Sequence, residues 1–475
     1  MKLTVNEIFK TFILSIGVFL FVLDLFIINV SLPSIQHSLH LANSAAQWII
    51  ILYVIGYASL LINAGKAGEV YGRKKLYVIG MIGFTVSSFI CGLSNDIYVL
   101  LAGRLLQGIS SGLMVPQGIA LITILFAEQQ KRTMALGIYG SFAGVASVIG
   151  QLLGGILPDQ NWIAESWRLI FLINLPIGIL AVLATAWLIP KDLVNTAQKV
   201  LFYPMFQLFV VLILLIYPLI KGPELHWPLW SIVMLTGALL LLFLFIRKQQ
   251  RIYHSGQQAM LNFSLFKNRV FNLGLLIAVA YYMVQDSYFI INSNYLQTVK
   301  NFTSTDTGIA FVYQGIGYVV ASIIASRLVH KYGKKVILWG VTLMVVSLAI
   351  HLWVLDQYQL DPIHIHLLFF CYGMGCGSVL PSLMTLALRG LDESLIGVGS
   401  ALYLTVQQLA ICLGIAFVVG LYYNTTNPSF LGFQQLSSAY GYATLLSMGL
   451  LALVWGIVAW SNFFKRQEAE TSAKN

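Results

Sequence analysis

Apolar runs of about 20 residues recur from one end of this chain to the other. That is the length an α-helix needs to cross ~30 Å of hydrocarbon, and a helix satisfies all its own backbone hydrogen bonds there. Fourteen such runs can be drawn, near 11–34, 48–68, 76–95, 97–126, 134–157, 168–189, 201–220, 228–246, 270–297, 307–328, 336–355, 363–388, 397–423 and 438–462. The sequence therefore predicts an all-α integral membrane protein with 14 transmembrane helices. Composition agrees: 9% of the 475 residues are charged, whereas a soluble domain carries about 25%. The first run, Thr11 to Leu32, is too long for the apolar core of a secretion signal and has no small-residue cleavage site after it. It reads as a retained first span.

The formal charge of +10 would suit a nucleic-acid partner if it were clustered on a soluble face, but it is not. With the amino terminus in the cytoplasm, 23 of the 27 Lys and Arg residues fall in cytoplasmic segments. Arg168, Lys221 and Lys300 fall on the other face, and Arg104 lies inside the membrane. This is the positive-inside pattern, so the basicity records topology, puts both termini in the cytoplasm and gives no sign of a nucleic-acid partner. The four cysteines all lie inside spans and read as small packing residues. No GxxxxGK[ST] loop is present to hold ATP phosphates, and no cofactor is expected.

Two loops resemble each other. GKAGEVYGRKK (65–75) follows the second span and SRLVHKYGKKV (326–336) follows the tenth, each with a glycine just before a basic cluster. The chain thus divides into a six-helix half over 1–190, two inserted helices and a linker over 191–262, and a second six-helix half over 263–475. Paired six-span halves with a substrate site near the bilayer midplane are a common transporter plan.

These strings also carry a family resemblance that covers essentially the whole chain. The 65–75 loop is similar to the signature cytoplasmic loop of the major facilitator superfamily, glycine–x–leucine–x–aspartate–x–x–glycine–arginine–lysine. LDLFIINVSLP (23–33), GRLLQGISSG (103–112), WRLIFLINLPIG (167–178) and NFSLFKNRVF (262–271) resemble strings of its fourteen-span drug/proton antiporter branch. The resemblance implies a multidrug efflux transporter in a bacterial inner membrane, working as a monomer by alternating access and taking protons as its coupling ion. Three positions depart from the pattern. Glu69 replaces the loop aspartate, His330 stands in the corresponding place of the second loop, and Gln151 replaces the proline of the fifth-span antiporter signature.

Charges inside the spans are few: Asp24, Arg104 and Asp286. Each costs roughly 2.5–3.5 kcal/mol at a helix centre and is expected to face a bundle interior or wet cavity. Arg104 shares a face with Gln107 and Ser111, while Gly108 and Gly112 form a small-xxx-small pair for a second helix. The bland reading of Arg104 is an arginine satisfied by carbonyls; the sharper one is a fixed charge beside a carboxylate that gains and loses a proton. Asp24 occupies the family's first-span aspartate position and is the leading carboxylate, with Asn29 expected to line the substrate path. Asp286 shares a stripe with Tyr282, Phe289, Ser293 and Gln297, a setting suited to an amphipathic cation through charge and cation–π attraction or to a second proton. Gly65, Glu69, Gly72, Arg73 and Lys74 are expected to form a cytoplasmic gate. The fifth-span glycines Gly140, Gly144, Gly150, Gly154 and Gly155 are expected to pack closely on a partner helix.

GISSG (108–112) matches the glycine–x–serine–x–glycine pattern of serine hydrolases. The hydrolase elbow needs a strand-to-helix turn, which a membrane helix does not supply, and no histidine lies at the depth of Ser110. The chain is read as a transporter of small molecules and not as an enzyme. Export of drug-like amphipathic compounds against protons is the main expectation. Export of one metabolite, such as a siderophore or amino acid, and uptake by symport are the alternatives.

Overall fold

The computed structural model describes residues 3–460 apart from 191, 193–199, 201, 258, 356–360, 390 and 426–432. Fourteen helices among the described residues are long and apolar enough to cross a membrane. They are α1 (Val5–Ser38), α2 (Asn43–Tyr71), α3 (Arg73–Gly92), α4 (Ile97–Leu125), α5 (Gln129–Ile156), α6 (Ser166–Leu188) and α7 (Phe202–Glu224). There follow α8 (Leu229–His254), α9 (Arg269–Thr298), α10 (Ser304–Val329), α11 (Lys334–Leu355), α12 (Pro362–Leu388), α13 (Leu395–Thr425) and α14 (Ser438–Trp460). Local signals set several ends: Thr4 and Glu7 form a capping box on α1, Asp96 caps α4 and Asp361 caps α12.

The chain forms two compact units, the first of residues 1–261 with 296–308, the second of 262–295 with 309–475. In the first unit, glycines set the helix crossings. A Cβ on Gly108 would lie 2.1 Å from the Tyr53 carbonyl oxygen, and one on Gly112 3.1 Å from that of Tyr57, so α4 lies directly on α2. Gly150 and Gly154 bring α5 onto α1, where an added Cβ would meet Leu23 O at 2.8 Å and Ile27 O at 2.4 Å. Ser31 Oγ reinforces that crossing by donating to Gly154 O at 2.8 Å. Gly155 packs instead against Ser304 and Gly308. Gly140 and Gly144 correct the expectation: they face open space, because only the second half of α5 approaches a backbone this closely. With Gln151 in place of proline, α5 runs as one unbroken helix.

The inserted helices α7 and α8 pack on each other, and α7 also packs on α2. A run of rings, Trp48, Tyr217 and Trp230, joins the three at 5.9 and 5.7 Å. Lys221 Nζ donates to Ser44 Oγ at 2.7 Å. Much of α8 is bare, with Leu229, Val233 and Leu240 exposed, as befits a lipid-facing helix.

The second unit repeats the same devices. Gly373 and Gly377 of α12 press on Gln314 O and Tyr318 O of α10, with added Cβ atoms 2.0 and 2.1 Å away, as Gly108 presses on Tyr53. Gly414 of α13 presses on Met283 O of α9 at 2.3 Å, as Gly154 presses on Ile27. Immediately after Gly414 the helix widens into a π-turn, Ile415–Val419. The two similar loops match as well. Gly72 and Gly333 both hold positive φ, at 93° and 54°, the conformation glycine tolerates best. Lys74 Nζ donates to Ala186 O and Ile189 O at the end of α6, and Lys334 Nζ to Ala459 O near the end of α14. In each unit a lysine thus meets the negative end of the sixth helix.

Candidate functional site

Arg104 is fully buried, and five helices answer for it. Its Nη1 pairs with Asp24 Oδ2 of α1 and donates to Gln107 Oε1 at 2.8 Å. Its Nε donates to Ile49 O of α2 at 2.9 Å, and the guanidinium lies 4.2 Å from the Tyr53 ring centroid. Asp24 Oδ1 accepts from Gln107 Nε2 at 3.0 Å and from Asn174 Nδ2 of α6 at 3.2 Å. Ser88 of α3 closes the network: its Oγ accepts from Gln107 and Asn174 and donates to Phe171 O. Both oxygens of Asp24 are therefore engaged, by three side-chain donors, and the pair carries no net charge. Desolvating two ions costs several kcal/mol each, recovered only when geometry and extra hydrogen bonds are good. Here they are, apart from Arg104 Nη2, which is buried with no hydrogen-bond partner among the described residues.

The sequence brought Asp24, Arg104 and Gln107 forward, and the structure joins them. Sequence reasoning missed Ser88, Asn174 and Tyr53, polar or aromatic positions on three other helices. Their one available signal was a polar side chain in mid-span, which many spans carry. Asn29 takes no part in the cluster: both its amide atoms are buried without a hydrogen-bond partner among the described residues.

Asp286 is placed quite differently. It is 6% exposed on α9 and, among the described residues, has no hydrogen-bond or ion-pair partner. Its helical neighbours Tyr282, Phe289 and Ser293 are buried with it. Phe289 packs on Phe311 with ring centroids 5.2 Å apart, in an aromatic group with Tyr288, Phe369 and Tyr372. Cys376 Sγ meets the neighbouring Gln285 Oε1 at 3.4 Å. Gln297, predicted on the same stripe, belongs elsewhere: its Nε2 donates to Val30 O at 2.9 Å in the first unit.

The 65–75 stretch, expected as a loop, is helical on both sides of Gly72, and in it Arg73 pairs with Glu69 at 3.2 Å, four residues back in the last turn of α2. Gly65 faces open space. The acidic partner of the loop backbone is Asp192, unmarked in the sequence, which accepts from Arg73 N at 2.6 Å and Lys74 N at 3.2 Å. A carboxylate at these first free N–H groups of α3 also meets the positive end of the helix.

At the far end of the first unit, the Trp167–Arg168 pair joins three helices. Arg168 binds Glu165, Gly92 O, Ser94 O and Asn95, while Trp167 Nε1 donates to Ser38 Oγ at 2.9 Å. Burial raises the Glu165 carboxyl, but its bonds from Ser38 and Arg168 outweigh that and hold it below the usual carboxylate range.

Two sets of six helices with glycine crossings at matching places, and buried charges confined to span interiors, are the pattern of a secondary transporter. The chain belongs to the Major Facilitator Superfamily, whose family model matches residues 14–415. It is similar to the multidrug resistance protein Stp of Mycobacterium tuberculosis, 27% identical over 84% of this chain and 73% of that protein. It is likewise 27% identical to the riboflavin transporter RibZ of Clostridioides difficile, over 97% of this chain and 98% of the relative. Among solved structures, a bacterial homologue of the human lysosomal transporter Spinster matches with a TM-score of 0.66 at 15% identity, covering 96% of this chain and 97% of that one. The protein is a multi-pass membrane transporter and not an enzyme.

Proposed function

We propose that this protein exports drug-like amphipathic compounds, cationic or neutral, in exchange for protons by alternating access across a bacterial plasma membrane. Both termini lie in the cytoplasm on this reading. The observation that carries it is the unpaired Asp286, a buried carboxylate beside aromatic rings. Such a group can take either a proton or a lipophilic cation without surrendering a bond it already holds, and either one neutralises its charge. Asp24 is the less suitable exchanger, since it would have to give up Arg104, Gln107 and Asn174 together. The Asp24–Arg104 cluster instead holds α1, α2, α3, α4 and α6 in one arrangement. A proton and a substrate that each weaken the other's binding at one site are linked reciprocally, which is the condition for exchange. The multidrug resistance relative supports polyspecific export.

A second reading is transport of one aromatic metabolite. The riboflavin transporter, which matches this chain over nearly its full length, supports it. The two are separated in proteoliposomes holding a pH dye and offered either ethidium or riboflavin. Ethidium-driven proton movement that is present in the parent protein and lost in Asp286→Asn is the expected result. Proton movement driven by riboflavin alone would establish the second reading. Proton movement that survives Asp286→Asn would sink the role given to that residue.

A further inference from the structure

The last turns of α8 carry charge that the fold itself does not use. Arg247, Lys248 and Arg251 are all exposed, and among the described residues none of them makes an ion pair. Residues 193–261 hold one acid, Glu224, which lies at the opposite end of α7 and is paired with Lys221. The negative end of α8 accounts for Arg251 in its last turn. It does not account for Arg247 and Lys248, which stand before that turn, where the helix dipole has little effect. Both of these lie over aromatic rings. The Arg247 guanidinium is 4.9 Å from the Phe243 ring centroid, and Lys248 Nζ is 4.9 Å from that of Tyr203 in the first turn of α7. The rings hold the two cations at the edge of an apolar surface rather than out in water.

That surface is bare. Helix α8 buries Ser231, Ala238, Phe245 and Gln249 along one side. The opposite side shows Leu240, Phe243 and Leu244, and at helical spacing it runs on into Arg247 and Arg251. On the α7 side of Lys248, Phe202, Tyr203 and Phe206 are exposed as well. Tyr71 at the end of α2 supports this corner, its ring centroid 6.3 Å from that of Phe202. Unpaired cations standing directly over exposed rings and leucines complement one kind of partner, a molecule with a phosphate at one end and alkyl chains at the other.

We propose that this corner of α7 and α8 binds an anionic glycerophospholipid, its phosphate held by Arg247, Lys248 and Arg251 and its chains laid along the bare face of α8. The inference rests on the first unit alone and is independent of what is exchanged for what. The test counts lipids on the purified, delipidated full-length protein by native mass spectrometry, with phosphatidylglycerol and phosphatidylcholine offered at equal concentration. The parent protein should retain phosphatidylglycerol in preference. Arg247→Gln, Lys248→Gln and Arg251→Gln should each weaken that preference roughly fivefold, the factor that one basic side chain contributes beside anionic headgroups, and the triple variant should lose it. Tyr203→Leu, which takes the ring from under Lys248, should weaken it by a smaller factor. Lys335→Gln removes one exposed charge from the second unit and should change nothing. A preference that survives the triple change in monodisperse protein overturns the proposal. So does an equal loss in Lys335→Gln, which would make net charge the cause. Displacement of the lipid by free glycerol phosphate at equal concentration would reveal an anion site with no use for the chains, and would overturn it likewise.

Discussion

The two buried aspartates share a chemistry and differ in every contact. Asp24 has an arginine and two amides on its two oxygens, while Asp286, also buried, has no such partner among the described residues. The frames around them are alike: α5 crosses α1 at Ile27 and α13 crosses α9 at Met283, each through a glycine. What separates the two sites is therefore what faces the carboxylate. A carboxylate with its bonds filled serves the packing of its neighbours, and one with its bonds empty is available to a visitor.

Breaking the filled site should cost most. Asp24→Asn or Arg104→Ala alone leaves a buried charge without its counterpart and should destabilise the protein by about 3–5 kcal/mol, read as loss of monodisperse protein and a lowered unfolding temperature in detergent. The double change Asp24→Leu with Arg104→Met should recover much of that loss, because both charges leave together. A double variant no more stable than the singles would break the comparison from the first site's side.

The supporting crossings come next. Gly108→Ala pushes a methyl against the Tyr53 carbonyl and should cost about 1–3 kcal/mol, with Gly373→Ala costing a similar amount in the second unit. Gly144→Ala, facing open space, should change stability by no more than ~1 kcal/mol, in the favourable direction expected for alanine over glycine in a helix.

At the empty site, Asp286→Asn should leave the unfolding temperature within what ~1 kcal/mol would shift, since no ion pair or hydrogen bond among the described residues is lost. Its expected effect is on substrate-driven proton movement alone. A large fall in stability would show that Asp286 supports the packing of its neighbours just as Asp24 does, and the contrast between the two sites would fail.

The smallest effect belongs to Glu165, a partly exposed carboxylate with partners. Its folded carboxyl ionises at lower pH than the unfolded one. The stability it contributes is thus present above the ordinary glutamate range, near ~4.3, and fades as pH falls through the lower folded value. Glu165→Gln should cost less than ~1 kcal/mol at neutral pH, and the gap between variant and parent should close on acidification. A gap that widened in acid would contradict the pairing with Ser38 and Arg168.

Span number, class and the duplicated loops were legible because each is written locally. Hydrocarbon demands one long apolar helix per crossing, and a turn at positive φ selects glycine, as at Gly72 and Gly333. The cost of an arginine in a span also marked Arg104 at once. The full site was not legible. Ser88 and Asn174 come from α3 and α6, and nothing in their own stretches says that they converge on Asp24. Asp192 likewise carries no mark in its own stretch: only the fold brings its carboxylate to the first N–H groups of α3.

The sequence by itself determined that this chain must fold as a bundle of membrane helices, and which three charges in it needed an explanation. Only the tertiary structure decided which of the two aspartates is paired, that Gly154 bears on a partner backbone while Gly144 does not, and that Asp159 reaches a helix 146 residues away. The reason is physical: burial and periodicity are properties of one segment, whereas a partner is a property of two. Hydrogen bonds and close backbone contacts act over about 3 Å, a distance that only the packing of distant segments can set.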